Sequence, residues 1–158
     1  MAIEIEHKFL LVNENWRSLV NHQVNYKQGY LTSEINNSIR IRTADQWAWI
    51  NIKSATLGNQ RQEYEYEIPI ADAEEILTTL CHQPLIEKTR YFINDGWHIW
   101  EIDEFWGANQ GLIIAEIELA SQDESFIKPE WVGEEVTNEQ KYYNHYLNYH
   151  PYSEWKKV

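Results

Sequence analysis

Apolar and charged residues alternate with period two along most of the chain, the signature of strands whose two faces meet different surroundings. Ile3-Glu4-Ile5-Glu6-His7-Lys8-Phe9-Leu10 sets the pattern. It returns in residues 26–32, in Ser38–Arg42, in Trp47–Lys53 and, over the longest clean stretch, in Arg61–Ile68, closed by Pro69. Three further strands are predicted over Ile86–Ile93, Trp97–Phe105 and Leu112–Leu119, with turn signals at Ala44-Asp45, at Asn94-Asp95-Gly96 and between Gly107 and Gly111. Helical spacing is confined to three places. Trp16, Leu19 and Val20 predict a short helix over residues 14–21. Asp72 and Glu75 read as a capping box for a helix carrying Ile76, Leu77 and Leu80 and ending near residues 82–84, and Thr137 with Gln140 is expected to cap a last helix running to Asn148. With about eight strands, two to three helices and no linker or repeat, the prediction is a mainly β (α+β) fold in one domain over residues 1–158.

Residues two apart in a strand share a face, so the polar positions can be grouped. They are Glu4, Glu6 and Lys8; Arg40 and Arg42; Asn51 and Lys53; Glu63, Glu65 and Glu67; Lys88 and Arg90; Glu101 and Asp103; Glu116 and Glu118. Fifteen of these sixteen are charged, whereas a solvated strand face usually mixes Thr, Ser and Gln among its charges. The basic strands are also purely basic, which is costly unless something anionic lies between them. Two readings follow. In one, an antiparallel sheet turns a charged face to water over an apolar core. In the other, eight strands close into a barrel whose charged faces point inward while the apolar faces are covered outside by helices or a second chain. Such a lumen would hold a basic wall, suited to phosphate oxygens, and an acidic wall, suited to a hard cation such as Mg²⁺ or Mn²⁺.

Thirteen Lys plus Arg against twenty-five Asp plus Glu leave a formal charge of −12. That total argues against nucleic acid, whose affinity rests on neutralised phosphates. It does not exclude a small polyphosphate, because six of the thirteen basic residues fall on the inferred lumen face. Cys81 is the only cysteine, which excludes an intrachain disulfide and suits a reducing cytoplasm. No apolar run approaches the roughly 18 residues of a membrane span, and no secretory leader is evident.

Glu4-Ile5-Glu6-His7-Lys8 resembles the ExExK signature of the CYTH superfamily, the triphosphate tunnel metalloenzymes. The resemblance continues in order through Arg40-Ile41-Arg42, Lys53, Glu63-Tyr64-Glu65-Tyr66-Glu67, Lys88-Thr89-Arg90, Trp100-Glu101-Ile102-Asp103 and Ala115-Glu116-Ile117-Glu118-Leu119, spanning residues 3–148. It is greatest to the short bacterial branch that hydrolyses inorganic triphosphate. The resemblance implies an eight-stranded antiparallel tunnel in which Glu4, Glu6, Asp103, Glu116 and Glu118 ligate the metal. By the same token Arg40, Arg42, Lys53, Lys88 and Arg90 bind the triphosphate, Lys8 lies near the scissile phosphate, and Glu63, Glu65 and Glu67 organise the basic residues or a second metal. Tyr30 is expected to partner the catalytic lysine, Lys53 to join Lys8 and Tyr30 in catalysis, and Lys141 to stand at the tunnel mouth. A basic wall should push a neighbouring lysine's pKa down.

Other chemistries find less support. The six histidines (7, 22, 82, 98, 145 and 150) lack metal-ligand spacing and are expected on the surface or in the core, and no Gly-rich phosphate loop exists. Cys81 reads as a small buried side chain. The many aromatic rings are expected on the outer wall of the barrel, where Tyr64, Tyr66 and Trp100 fall, or in a homodimer contact. An adenylyl cyclase, a thiamine triphosphatase and a non-catalytic polyphosphate or nucleotide-binding module are the alternatives, and filled acidic positions favour an enzyme.

Overall fold

A computed structural model describes residues 3–33, 36–55 and 59–155. The alternating segments form β1 (Ile3–Leu11), β2 (His22–Ser33), β3 (Asn37–Ala44), β4 (Trp47–Ser54), β5 (Gln60–Glu67), β6 (Ile86–Asp95), β7 (His98–Phe105) and β8 (Ile113–Glu118). Every neighbouring pair is antiparallel, in the order β5-β4-β3-β2-β6-β7-β8-β1, and β1 pairs back onto β5. The sheet therefore closes into an eight-stranded barrel, which leaves no free edge among these strands. A ninth strand, β9 (Val132–Glu135), adds to the far part of β1, where Phe9 faces Glu135 and Leu11 faces Val132. Four residues are too few for alternation to announce a strand, and it was not among those predicted.

Register decides which face points inward. Glu6 lies opposite Glu118, Lys8 opposite Glu116, Arg90 opposite Asp103, Lys53 opposite Glu63 and Glu4 opposite Arg61. The charged faces thus meet across these seams and line the lumen, while β2 contributes the uncharged Tyr26, Gln28 and Tyr30.

With charges inside, apolar burial has to be built on the outer surface and at one end. On the outside of β1, β7 and β8, Phe9, Trp100, Ile102 and Ile117 pack under Trp16, Trp131 and Val132. On β3 and β4, Ile41 and Ala48 are covered by Ala73 and Leu77 of α1 (Ile70–Thr79) and by Cys81. The third group occupies the lumen parity itself: Tyr30, Ile86, Phe105 and Ile114 meet Leu147 of α2 (Asn144–Tyr149), so the C-terminal segment closes that end of the barrel with an apolar layer. Tyr64 and Tyr66 do fall on the outer face, but they stay exposed, uncovered by either helix.

The helices depart from expectation at their ends. Residues 14–21 yield only a 3-10 helix over Asn15–Leu19, with Trp16 its buried side chain. The capping box at Asp72 and Glu75 is not formed, since α1 starts three residues earlier behind Pro69, whose fixed φ and missing N–H suit a helix start. Thr137 caps nothing either. Its hydroxyl accepts the Lys8 N–H and donates to Glu135, so the chain makes a 3-10 turn over Gln140–Tyr142 before α2 begins. Among the described residues no helix is long and apolar enough to cross a membrane.

Leu147 is fully buried in the end layer, so Leu147→Ala is expected to cost about 2–5 kcal/mol. Urea unfolding of the variant beside the parent measures this; an unchanged midpoint would mean that α2 does not seal the barrel.

Candidate active site

Seven cations reach the lumen: Lys8 from β1, Arg40 and Arg42 from β3, Lys53 from β4, Arg61 from β5, and Lys88 and Arg90 from β6. They fall into two kinds. Arg40 and Arg42 are both buried, and neither has a carboxylate within ion-pair distance among the described residues. Neutral amides orient them instead: Arg42 Nε donates to Gln28 Oε1 at 2.9 Å, and Arg40 Nε to Asn51 Oδ1 at 3.4 Å. Both guanidinium groups are held through Nε, and both side chains line the cavity. Burial, then repulsion from Arg40 and Arg90, pulls the Arg42 pKa downward, as expected for a cation lacking a counter-charge.

The remaining five cations are paired. Lys88 Nζ donates to Asp103 and to Asn144 Oδ1, both at 2.8 Å, and Arg90 forks onto Asp103 at 2.7 and 2.9 Å while also reaching Glu101 at 2.6 Å. Asp103 is therefore a buried brace between two cations rather than a lining residue, and Arg90 and Lys88 hold its carboxyl far below the usual range against the cost of burial. Arg61 binds Glu4 at 3.0 Å and approaches Glu6 at 3.6 Å. Lys53 binds Glu63 at 2.9 Å and Glu4 at 3.7 Å.

The lysines diverge because their partners differ. Burial would depress Lys8, but Glu116 at 2.5 Å and Glu6 at 3.4 Å outweigh it and raise its pKa well above the ordinary lysine value. The expectation that a basic wall lowers a neighbouring lysine thus fails at Lys8 and holds at Lys53 and Lys88. Burial and the charge of Arg61 push Lys53 down to about 8, and burial holds Lys88 well below the usual value.

On the acidic wall, like charges oppose one another directly: Glu6 faces Glu118 and Glu101 faces Glu116. Such pairs are destabilising in a sheet. Glu118 has no basic partner within ion-pair distance among the described residues. Loss of hydration and the carboxylates of Glu4, Glu101, Glu6 and Glu63 push its pKa up to about 7. No three carboxylates among the described residues converge on a single metal-sized point. The donor chemistry nonetheless fits a hard divalent cation, because Glu4, Glu6, Glu116 and Glu118 offer only oxygen and Glu118 is surrounded chiefly by other carboxylates.

Several lumen residues lie outside the predicted set. Arg61 shares the parity of Glu63 and was legible in Arg61-Gln62-Glu63. Tyr143, Asn144 and His145 enter from the C-terminal segment, where no strand pattern pointed to them. His145 corrects the placement of all six histidines on the surface or in the core: it lines the cavity, edge-on to Tyr30 and beside Tyr143. The lysine expected beside Tyr30 does not pair with it; Lys8 Nζ sits over the Tyr143 ring at 4.7 Å. Tyr30 is buried opposite Arg40. Lys141 stays outside the lumen, over the rings of Tyr142 and Trp155 at 5.2 and 5.1 Å, and Glu67 is exposed beyond the cavity while Glu63 and Glu65 line it.

A closed antiparallel barrel with a basic and an acidic interior wall defines a class of protein, the charged-tunnel domains. The sequence places the chain in one family of them: residues 2–148 match the CYTH domain, and the chain belongs to that family. It is 43% identical over 157 residues to an inorganic triphosphatase of Acetivibrio thermocellus, covering 99% of this chain and 100% of that one. It is 37% identical over 146 residues to an inorganic triphosphatase of Nitrosomonas europaea, covering 89% and 93%. Among solved structures, an inorganic triphosphatase matches with a TM-score of 0.65 at 32% identity, over 94% of this chain and 95% of the other. The barrel also resembles that of a Hippeastrum protein, a candidate adenylyl cyclase with a dominant triphosphatase activity, with a TM-score of 0.57 at 13% identity, over 77% and 80%, a likeness of fold alone.

Burial, then the charges of Arg61, Lys8 and Lys53, hold His145 down at about 4. The unfolded chain therefore binds this proton more tightly, and the stability associated with neutral His145, fully present above pH 6.5, is lost as the pH falls through 4. His145→Gln is expected to lose less stability than the parent between those limits. Thermal midpoints across that range measure it, and parallel curves for the two proteins would place the imidazole away from the cations.

Proposed function

We propose that this chain is a divalent-metal-dependent phosphohydrolase that cleaves inorganic triphosphate to pyrophosphate and phosphate inside the barrel. The observation that carries this reading is the pair Arg40 and Arg42, two buried guanidinium groups oriented by neutral amides and left without a carboxylate partner among the described residues. Buried charge of this kind calls for an anionic ligand, and forked guanidinium ends match phosphate oxygens. The high identity to inorganic triphosphatases supports the same substrate class.

The lumen cavity has a volume of about 150 Å³, well under the roughly 300–1,000 Å³ that encloses a drug-sized ligand. An inorganic chain fits that space better than a nucleoside, which sets tripolyphosphate ahead of ATP and thiamine triphosphate. A divalent cation, Mg²⁺ or Mn²⁺, held by Glu4, Glu6, Glu116 and Glu118 would supply charge neutralisation at the phosphates. The protein's own contribution is positional and electrostatic, as phosphoryl transfer requires. Arg40, Arg42 and Arg90 grip the chain of phosphates. Lys8, kept fully charged by Glu116 and Glu6, stabilises charge developing at the scissile bond rather than accepting a proton. Lys53, at about 8, can give up a proton near neutrality and so accept one from attacking water, whereas Lys88, also lowered, is committed to Asp103 and Asn144.

The test is one incubation of tripolyphosphate, ATP and thiamine triphosphate side by side with Mg²⁺ or Mn²⁺, following phosphate, pyrophosphate and cyclic AMP. Phosphate release from tripolyphosphate should be fastest, and Arg40→Ala should slow it by about 100-fold. Full metal-dependent release by Arg40→Ala, or cyclic AMP as the main product, would overturn the reading.

A further inference from the structure

Arg42 and Arg90 stand on different strands, carry like charges that repel, and must lie side by side to form one wall. The Nε bond from Gln28 fixes Arg42 at one point only, and Arg90 is drawn toward the acidic wall by Asp103 and Glu101. Behind both lies the ring of Tyr26, on the lumen parity of β2 with Gln28 and Tyr30. The Arg42 guanidinium carbon is 4.3 Å from the ring centroid and that of Arg90 is 5.6 Å. Tyr26 does not line this cavity, so it reaches the anion site through its neighbours, these two arginines and Lys88, which lies opposite it on β6.

A ring face suits this position. Its quadrupole attracts a cation, most strongly where water is excluded, yet adds no net charge. A carboxylate in the same place would hold the arginines more firmly but would cancel the positive field that a polyphosphate needs. The same device recurs across the lumen, where the Tyr143 ring lies under Lys8 at 4.7 Å and Arg61 at 5.7 Å with its hydroxyl spent on the Thr137 carbonyl. There the ring face, not the hydroxyl, is what meets the cations.

We infer that Tyr26 is a positioning residue whose ring face holds Arg42 and Arg90 together as one polyphosphate-binding wall, and so sets affinity for the polyphosphate without touching it. The inference rests on the reading of the lumen as a polyphosphate site.

Calorimetric binding of inorganic tripolyphosphate in metal-free buffer is the test, run on the full chain and on Tyr26→Phe, Tyr26→Leu and Tyr26→Met. Tyr26→Phe keeps the ring and is expected within about twofold of the parent Kd, whereas Tyr26→Leu and Tyr26→Met, which lack it, should weaken binding about tenfold. Thermal midpoints are taken alongside, and Met, similar in length and flexible, serves if Leu folds poorly. Where hydrolysis is observed, the loss should appear in KM with kcat little changed. Leu and Met variants that bind like the parent would overturn the inference, as would a Phe variant as weak as Leu, which would assign the effect to the hydroxyl. A parent that binds tripolyphosphate but leaves it uncleaved once Mg²⁺ or Mn²⁺ is supplied would defeat the hydrolase reading and leave the Kd ratios to decide this one. A parent that binds it neither with nor without the metal would defeat both.

Discussion

The constraint on which this fold depends is that charge on the inside of a barrel has to be compensated at close range by the opposite strands. Strand parity makes that possible. Arg90 opposite Asp103 and Lys53 opposite Glu63 pair across neighbouring strands of hairpins, and Arg61 opposite Glu4 joins β5 to β1, far apart in sequence. A slip of one residue in any strand would carry its whole charged set to the outside and bring isoleucines into the lumen. The outer coats follow from the same fact. Because most of the interior cannot supply apolar burial, Trp16, Trp131 and α1 supply it from without, and Leu147 supplies it at the single lumen layer whose residues are apolar.

Compensation is uneven, and the unevenness is where the chemistry lies. Arg40 and Arg42 are met by amides and, for Arg42, by a ring, so positive charge remains unbalanced on one wall. Glu118 is met chiefly by other carboxylates, so negative charge remains unbalanced on the other. An anion alone would relieve the first and a cation alone the second. A metal polyphosphate relieves both, which is why a chain of net charge −12 is compatible with a highly anionic ligand.

Much of this was legible in the sequence because strand periodicity is local. The ExExK run, Arg40-Ile41-Arg42 and Glu116-Ile117-Glu118 each declare a face within five residues, and seven such faces of one character already point to a lumen. Arg61 was equally legible, but it precedes a run of glutamates and was left out of the basic set. What local pattern could not give is the contribution of the C-terminal segment. Tyr143, Asn144 and His145 reach the cavity because Leu147 anchors α2 against Ile86 and Phe105, a packing event with no periodic trace. The same holds for Asp103, whose acidic character was plain, while its role as a brace depends on Lys88 and Arg90 closing over both oxygens.

Lys8 and Lys53 illustrate how one lumen divides its work between residues of one type. Both are buried on the inner face and both have carboxylates nearby. Lys8 is closed in by Glu116 and Glu6, and its charge is fixed more firmly than in water. Lys53 shares Glu4 with Arg61, whose guanidinium both competes for that carboxylate and repels the ammonium, and its pKa falls to about 8. The difference is not encoded at either lysine. Burial lowers both, and the balance of neighbours separates them: Glu116 and Glu6 prevail at Lys8, while Arg61 on β5, directly opposite Glu4, adds to burial at Lys53, so its proton-exchanging capacity depends in part on the β1–β5 seam that closes the barrel. Closure of the sheet and tuning of the site are, at this point, the same contact.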